Sequence, residues 1–182
     1  TSLDRGIVFQ DHRLLPWLTL EENIGLSLEN SGWSGAEKRK TIREHIDLVG
    51  LSGFEKVYPY QLSGGMAQRA AIARGLVNRP AIPRHDNPLG GSDAHTRLLL
   101  QEELLRIWRV EKTTMILVTH DVDEAIYLSD RILVMNANPG RIVEEIAVEL
   151  PAPRDRASGA FAGIKRSILE RMGEYAVHVE AA

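Results

Sequence analysis

The chain of 182 residues contains no cysteine, which excludes a disulfide framework and any metal site built on thiolates. No apolar run approaches the roughly 20 residues that a helix needs to span a bilayer, and no signal peptide is visible. The chain is not basic either. Its formal net charge is −3 and its isoelectric point is about 6.1, which argues against a nucleic-acid-binding protein. A role at a membrane would therefore have to come through a partner.

The residues that are present have an ordinary globular composition, 43% hydrophobic and 26% charged. The length is enough for one domain with a real core. Segments with the apolar pattern of strands alternate with segments of helical periodicity, and this alternation predicts an α/β fold. The start at Thr1 rather than at methionine suggests a fragment or a processed chain.

The predicted elements follow from periodicity and from capping signals. Thr19 with Glu22, and Ser34 with Glu37, have the spacing of capping boxes at helix starts, and Gly50 closes the second of these helices. Strands are predicted at residues 6–10, near 82, and at 114–119, 131–135 and 141–148, with the strand at 114–119 buried. Helices are predicted at residues 19–28, 34–49, 93–110, 121–128 and 158–172, and directly after the glycine-rich turn at residues 62–66, with a linker at 151–156.

One glycine-rich turn carries the most information. The sequence Leu62-Ser63-Gly64-Gly65-Met66 runs directly into a helix of small and apolar residues. A helix start offers unpaired backbone N–H groups and a partial positive charge, and glycines let a phosphate come close because they carry no Cβ. The alternative is an ordinary serine N-cap with glycines in a loop.

These residues resemble the signature motif of ABC-transporter ATPases. Three further residues match motifs of that family, in the family's order along the chain. Gln10, at the end of a strand before the signature, resembles the Q-loop glutamine. After the signature, Asp93 resembles the D-loop aspartate and His120 the switch histidine. Each motif alone is a weak signal, whereas four in the right order are a strong one. The resemblance extends from Gly6 to about Gly140.

The resemblance implies a fold and a narrower group. The expected architecture is an incomplete P-loop NTPase (RecA-like) core of the ABC ATPase type, formed by residues 1–10 and 79–150. A helical signature subdomain is inserted at residues 11–78, and residues 151–182 form a C-terminal linker and helix. The segments Arg13–Thr19 and Pro151–Arg156 are similar to those of the ATPases of nitrate, sulfonate and taurine importers.

The resemblance also implies ATP and Mg²⁺ as cofactors. Gln10 would coordinate the metal or the attacking water, Asp86 would hold Mg²⁺ through a water, and His120 would contact the γ-phosphate. The implied nucleotide-binding residues are Ser63, Gly64, Gly65, Gln68 and Asp93. Taken alone, Gln10 could be a polar residue at a strand end and His120 a satisfied histidine at a helix start.

The chain departs from the family pattern at two places. None of its 15 glycines is followed by lysine, so the sequence contains no Walker A motif, which in this family precedes the Q-loop. Asn87 stands where the family has its catalytic glutamate and cannot accept a proton from water, which predicts slow hydrolysis. In the Walker B strand Pro83 removes a ladder donor and Arg84 would be a buried charge, so local distortion is expected there.

The family's partners are a second ATPase subunit and a membrane permease. The resemblance implies a head-to-tail dimer in which the signature of one subunit covers the nucleotide held by the other. The apolar residues 14–18 follow the Q-loop, and Trp17 is expected to contact the permease, although core burial of the leucines is the alternative. The resemblance therefore implies a location at the cytoplasmic face of the cell membrane.

Three interpretations remain open on the sequence alone. The chain could be the ATP-binding subunit of an importer for nitrate, sulfonates, taurine or similar small solutes, which alone would not hydrolyse ATP. It could be a degenerate partner that donates Ser63 and its glycines to an intact ATPase. It could also be a decayed gene fragment with apolar faces exposed.

Overall fold

The computed structural model describes residues 5–8, 12–78, 82–86, 94–112, 114–136 and 140–180, and it describes no side chains at 5–8, 82–86, 94–96 and 173–180. The chain divides into two compact units, residues 1–118 and 119–182. The helices and the parallel sheet described below confirm the predicted α/β fold.

The first unit is built on a parallel sheet with the order β1-β2-β3. The strands are β1 (Arg5–Val8), β2 (Ile82–Asp86) and β3 (Ile116–Val118). Helices lie between them in the chain: α1 (Leu20–Gly25), which continues as a 3₁₀ turn over Leu26–Leu28, then α2 (Gly35–Leu48), α3 (Gly64–Leu76) and α4 (Ala94–Glu111). Parallel neighbours require such crossover connections.

Strand β2 forms in spite of its proline, so the predicted distortion of its backbone is wrong. It pairs with β1 from Ile82 to His85, and it pairs with β3 only from Arg84 onward. Pro83 therefore lies opposite Gly6 in the part of β2 that precedes the β3 ladder, where a missing N–H costs least.

Strand β3 is not buried as its apolar sequence predicts. Ile116 and Val118 are exposed by 48% and 40%, and only Leu117 between them is partly covered. In the described sheet β3 is bonded to β2 alone, so it lies at an edge. A continuous apolar run is typical of a strand covered on both faces, and it does not report how many neighbours the strand has.

Helix α3 is the central helix of the first unit. It contacts α1, α2, α4 and β1. Its inner positions are mostly alanine and glycine, which let neighbouring backbones approach closely because they have little or no side chain. Its buried residues are Ala67, Gln68, Ala70, Ala71, Ile72, Ala73, Gly75 and Leu76.

The second unit consists of a short helix, a hairpin and a long helix. They are α5 (Val122–Leu128), β4 (Arg131–Asn136), β5 (Arg141–Ala147), antiparallel to β4, and α6 (Gly159–Glu180). Its core contains Ile126, Val148, Phe161 and Ile168. The outer face of the hairpin leaves Leu133, Met135 and Ile142 exposed.

Both predicted capping boxes are present. Thr19 caps α1 and Ser34 caps α2, and in each box the glutamate three residues later bonds back to the cap backbone. The backbone N–H and the hydroxyl of Thr19 both donate to the Glu22 carboxylate at 2.8 Å, and these bonds hold the pKa of Glu22 below its ordinary value. The Ser34 hydroxyl and backbone N–H lower the pKa of Glu37 in the same way.

The lowered pKa of Glu22 predicts a loss of stability in acid. Because the folded state binds this proton less readily than the unfolded state, the contribution is complete above the ordinary glutamate pKa and is lost as the pH falls through the folded-state value. Glu22→Gln keeps an acceptor oxygen but carries no titrating carboxyl group. We expect the variant to have a lower free energy of unfolding than wild type at about pH 7, and the difference to become small at about pH 3. Urea unfolding measures both values. Glu37→Gln should repeat this pattern, and parallel losses in wild type and both variants would contradict it.

Candidate functional site

The N-terminus of α3 is exposed and capped by Ser63. The backbone of Ser63 is extended, and its hydroxyl oxygen accepts a hydrogen bond from the N–H of Met66 at 3.3 Å. Helix geometry leaves the N–H groups of Gly64 and Gly65 without an acceptor inside the helix. Ser63 and Gly64 are exposed and Gly65 is partly covered, so these donors face a side that a ligand can reach.

This helix end fits an anion. The first turn of α3 contains no acidic residue, so no carboxylate of its own competes for the free N–H groups and the positive end of the helix dipole. A Cβ built on Gly64 meets nothing within 4 Å. The packing of the first unit therefore does not require glycine at this position, whereas close approach of a phosphate does.

A tight turn delivers the chain to Ser63. Residues Pro59–Gln61 form a 3₁₀ turn, and the side chain of Gln61 accepts from the N–H of Tyr58 at 3.0 Å. The rings of Tyr58 and Tyr60 stack with their centroids 5.8 Å apart. The direction in which the chain enters α3 is thus set by local bonds just before the motif.

Arg69 joins α3 to the end of α2. Its guanidinium donates to the carbonyl of Val49 at 3.1 Å and lies beside that of Gly50 at 3.5 Å. Gly50 has a φ of +63°, as expected for the glycine that closes a helix. Gln68, one position earlier and one of the predicted nucleotide ligands, is a buried residue with 5% of its surface exposed.

The segment 14–18 separates into a buried part and an exposed part. Leu14 is buried, Leu15 and Leu18 are partly buried, and Pro16 is exposed. Trp17 leaves 69% of its surface exposed. The two sequence alternatives, core and contact surface, are therefore divided between neighbouring residues, with the leucines inward and the tryptophan outward.

Asn23 holds this segment in shape. Its side chain is completely buried, its amide oxygen accepts from the N–H of Leu15 at 2.8 Å, and its amide nitrogen lies 3.0–3.1 Å from the carbonyls of Leu15, Leu18 and Thr19. A buried amide with this many partners fixes the loop that presents Trp17.

Arg74 ties α3 to the chain that leads into this loop. Its guanidinium donates to the carbonyls of His12 and Arg13, both at 2.9 Å, and its own carbonyl accepts from the hydroxyl of Ser27 at 2.8 Å. Burial lowers the pKa of Arg74 from its ordinary value, although a guanidinium stays protonated in proteins. The helix that carries the signature is thus bonded directly to the segment that carries Trp17.

His120 stands immediately before α5 in the second unit, and it is exposed. Asp121 caps this helix, and its carboxylate accepts from the N–H groups of Asp123 and Glu124 at 2.9 and 3.2 Å. The N–H of Asp121 in turn donates to the hydroxyl of Thr119 at 3.1 Å. His120 therefore sits in a turn whose backbone is bonded on both sides.

Several predicted site residues lie outside the described part of the chain. These are Gln10, Asn87 and Asp93, together with the side chain of Asp86, whose backbone ends β2 opposite Val118. Among the side chains that the structure describes, no group of three or more histidine, aspartate or glutamate residues could hold a metal ion. Within the same part of the chain, no helix is both long and apolar enough to cross a membrane.

The sequence patterns did not single out Asn23, Arg69 or Arg74. Each acts on backbone carbonyls that are distant in sequence or hidden in a loop, and carbonyls carry no residue-type signal. A hint exists for Asn23 alone, because an asparagine on the apolar face of an amphipathic helix needs buried partners.

Comparison with known proteins is consistent with the predicted resemblance. The family model described as ABC transporter matches residues 2–90. The chain is 51% identical over 166 residues to an uncharacterized ABC transporter ATP-binding protein of Methanocaldococcus jannaschii, covering 91% of this chain and 62% of the relative. It is 50% identical over 167 residues to the aliphatic sulfonates import ATP-binding protein SsuB 2 of Pseudomonas syringae pv. tomato, and the match covers 92% of this chain and 70% of that relative.

A solved structure shows the same fold. It is the dimeric, post-hydrolysis state of the ATP-binding cassette MJ0796 bound to ADP and Pi, with a TM-score of 0.65 and 34% identity, covering 80% of this chain and 63% of that one. The chain spans less than two thirds of the length of this protein and of the Methanocaldococcus relative.

Replacement of Asn23 tests whether its amide determines the conformation of the loop at residues 14–18. Asn23→Ala removes the amide bonded to the Leu15 N–H and the Leu18 carbonyl, whereas the carbonyls of Leu15 and Thr19 keep backbone N–H donors. We expect a loss of about 3 kcal/mol in the free energy of unfolding, with faster amide exchange at residues 15–19. Asn30→Ala, at an exposed asparagine, is the matched control and should change neither quantity. An Asn23→Ala protein with unchanged exchange at these residues would show that the loop does not depend on the amide.

Proposed function

Because this chain belongs to the family of ABC transporter ATP-binding proteins, we propose that it is the ATP-binding subunit of an importer for aliphatic sulfonates or similar small solutes. The observation that carries the proposal is the exposed, glycine-bordered N-terminus of α3 at Ser63. The substrate class is proposed from the Pseudomonas syringae relative, which is named as an aliphatic sulfonates import protein.

The role of Ser63, Gly64 and Gly65 is to bind the terminal phosphate of a nucleotide that a second subunit presents. Their free N–H groups and the helix dipole attract negative charge, and the absence of a Cβ on Gly64 leaves room for a phosphate oxygen. Such an element works in trans and needs no phosphate loop in its own chain. The dimeric state of the similar ATP-binding cassette bound to ADP and Pi supports this arrangement.

The remaining predicted site residues would serve the reacting end of the nucleotide. When bound, ATP with Mg²⁺ supplies a phosphoanhydride bond whose charge the metal partly neutralises. His120 would donate a hydrogen bond to the γ-phosphate from its exposed turn, while Gln10 and Asp86 would hold the metal. Asn87 would orient water without taking its proton, so slow hydrolysis is expected, and this chain without a phosphate-binding loop would not hydrolyse ATP by itself.

Trp17 is the residue that would contact the permease. Its ring is exposed on a loop that Asn23 keeps rigid, and a large aromatic side chain on a preorganised loop is a typical anchor of a protein interface. Through Arg74 the same loop is bonded to the signature helix. Closure of the two subunits around the nucleotide would therefore be transmitted to the permease through α3, Arg74 and the segment that carries Trp17.

Gly64→Ala separates the role in phosphate binding from the role in folding. Alanine is the better helix former, so we expect the variant to be as stable as wild type or more stable by about 0.5 kcal/mol. The added methyl group should weaken association with an intact homologous subunit at least about tenfold. Analytical ultracentrifugation with the Pseudomonas syringae relative and a non-hydrolysable ATP analogue measures this effect.

Gly159→Ala is the matched control for this test. Gly159 also follows a serine at the start of a helix, and a Cβ built on it also meets nothing within 4 Å. The control should gain similar stability and associate like wild type. Absence of any ATP-dependent association by the wild-type chain would remove the proposed function, and unimpaired association of Gly64→Ala would remove the role of the signature.

Trp17→Ala tests the contact with the permease. Because the side chain is mostly exposed, the free energy of unfolding should change by less than about 0.5 kcal/mol. Affinity for the membrane subunit of an aliphatic sulfonate importer in nanodiscs should fall at least about tenfold. The control is Met135→Ala, which removes a side chain that is 68% exposed in the other unit. Equal affinity of wild type and Trp17→Ala would exclude Trp17 as the anchor.

A further inference from the structure

The segment Pro151–Arg156 has no role in the proposed function, although it marks the resemblance to one group of importers. The structure shows that its central arginine faces inward. Only 8% of the side chain of Arg154 is exposed. Its guanidinium donates to the carbonyls of Ile126 at 3.1 Å and Tyr127 at 3.0 Å, and it forms an ion pair with Asp130 at 3.1 Å.

These carbonyls belong to the last turn of α5. The final carbonyls of any helix have no N–H partner within it, and the C-terminal end carries a partial negative charge. The guanidinium supplies both the missing donors and the opposite charge from a site that solvent barely reaches, where charge-assisted bonds are strong. Arg156, two residues later, places its guanidinium 3.9 Å from the centre of the Tyr127 ring in the same turn.

Helix α5 needs such support because it has only seven residues. Isolated helices of this length are not stable in water, so their ends must be held by other groups. The Asp121 carboxylate caps the first turn, and Lys165 of α6 forms an ion pair with Asp123 at 2.7 Å. Ile126 anchors the middle in the core of the second unit. Arg154 is the clamp at the remaining end.

His120 directly precedes this helix. The turn that holds it is bonded to α5 through the N–H groups of Asp123 and Glu124, which donate to Asp121. A displacement or fraying of a two-turn helix therefore reaches its first turn and the turn of His120. Arg154 itself lies at the opposite end, so any effect it has on His120 must pass through α5.

We propose that Arg154 is a positioning residue for His120, and that residues 151–156 form a clamp that fixes the imidazole by holding the C-terminal end of α5. The catalytic meaning of this role rests on the proposed function of His120 as a γ-phosphate contact. The structural coupling between Arg154 and His120 does not, because all the groups involved belong to the second unit of this chain.

Nuclear magnetic resonance of the full chain, with ¹³C-labelled histidine and without nucleotide, tests the coupling. The chain has six histidines, and loss of one signal in His120→Gln assigns the resonance of His120. We expect Arg154→Ala to shift or broaden that resonance and to raise amide exchange at residues 122–128 about tenfold. Arg154→Lys keeps the charge but not the planar fork, and it should restore the wild-type behaviour only in part.

Arg171→Ala is the matched control, because Arg171 forms an ion pair with Glu144 in the same unit and none of its described bonds reaches α5. It should leave His120 and residues 122–128 unchanged. Amide exchange in β4 and β5 shows whether a variant merely loosens the whole unit. If Arg154→Ala does not fold, Arg154→Lys carries the test.

Two results would overturn the proposal. One is a His120 resonance that stays unchanged in the Arg154 variants. The other is an equal rise in exchange across α5, β4 and β5, which would assign Arg154 a general structural role. Failure of ATP-dependent association by the wild-type chain would instead contradict the proposed function, and it would leave the result on His120 intact.

Discussion

The packing of α3 is the constraint on which the first unit depends. Along its length the helix is lined with alanine and glycine and is covered by neighbouring elements, and only its N-terminal end at Ser63 and Gly64 is exposed. Two arginines of α3 bond the helix to other segments: Arg69 donates to a carbonyl at the end of α2, and Arg74 donates to a carbonyl in the chain before Trp17. A helix held on all sides can present an anion-binding end rigidly, with little loss of conformational entropy when a ligand arrives.

The same design explains why the loop with Trp17 is ordered although its tip is exposed. Loops without internal partners are mobile, whereas this one surrounds the amide of Asn23, and the chain just before it accepts hydrogen bonds from the guanidinium of Arg74. Both groups satisfy backbone carbonyls, so the loop keeps its shape without burying the indole. An exposed aromatic ring on a fixed backbone is suited to a contact with another protein.

Local signals in the sequence predict the helix starts well and the environment of strands less well. Serine or threonine followed three residues later by glutamate marks a cap through bonds within one turn, and Thr19 and Ser34 behave accordingly. The exposure of Ile116 and Val118 depends on how many strands lie beside β3, and the residues of β3 carry no record of that number. The prediction for Pro83 is wrong for the same reason, since its tolerance depends on where the partner ladder begins.

The candidate site shows the same division between local and long-range information. The serine N-cap at Ser63, which the sequence allows as the alternative to a phosphate-binding turn, depends on neighbouring residues within one turn. The contacts of Arg74 and Arg154 cannot be predicted in this way, because these arginines bond carbonyls that lie 62 and 28 residues away. In both cases an arginine distant in sequence satisfies backbone carbonyls, those of His12 and Arg13 in one unit and those at the end of α5 in the other. The backbone around Trp17 and in α5 is thus bonded to partners that carry no motif of their own, and under the proposed roles of Trp17 and His120 a change at either arginine is expected to alter the site while the signature residues stay the same.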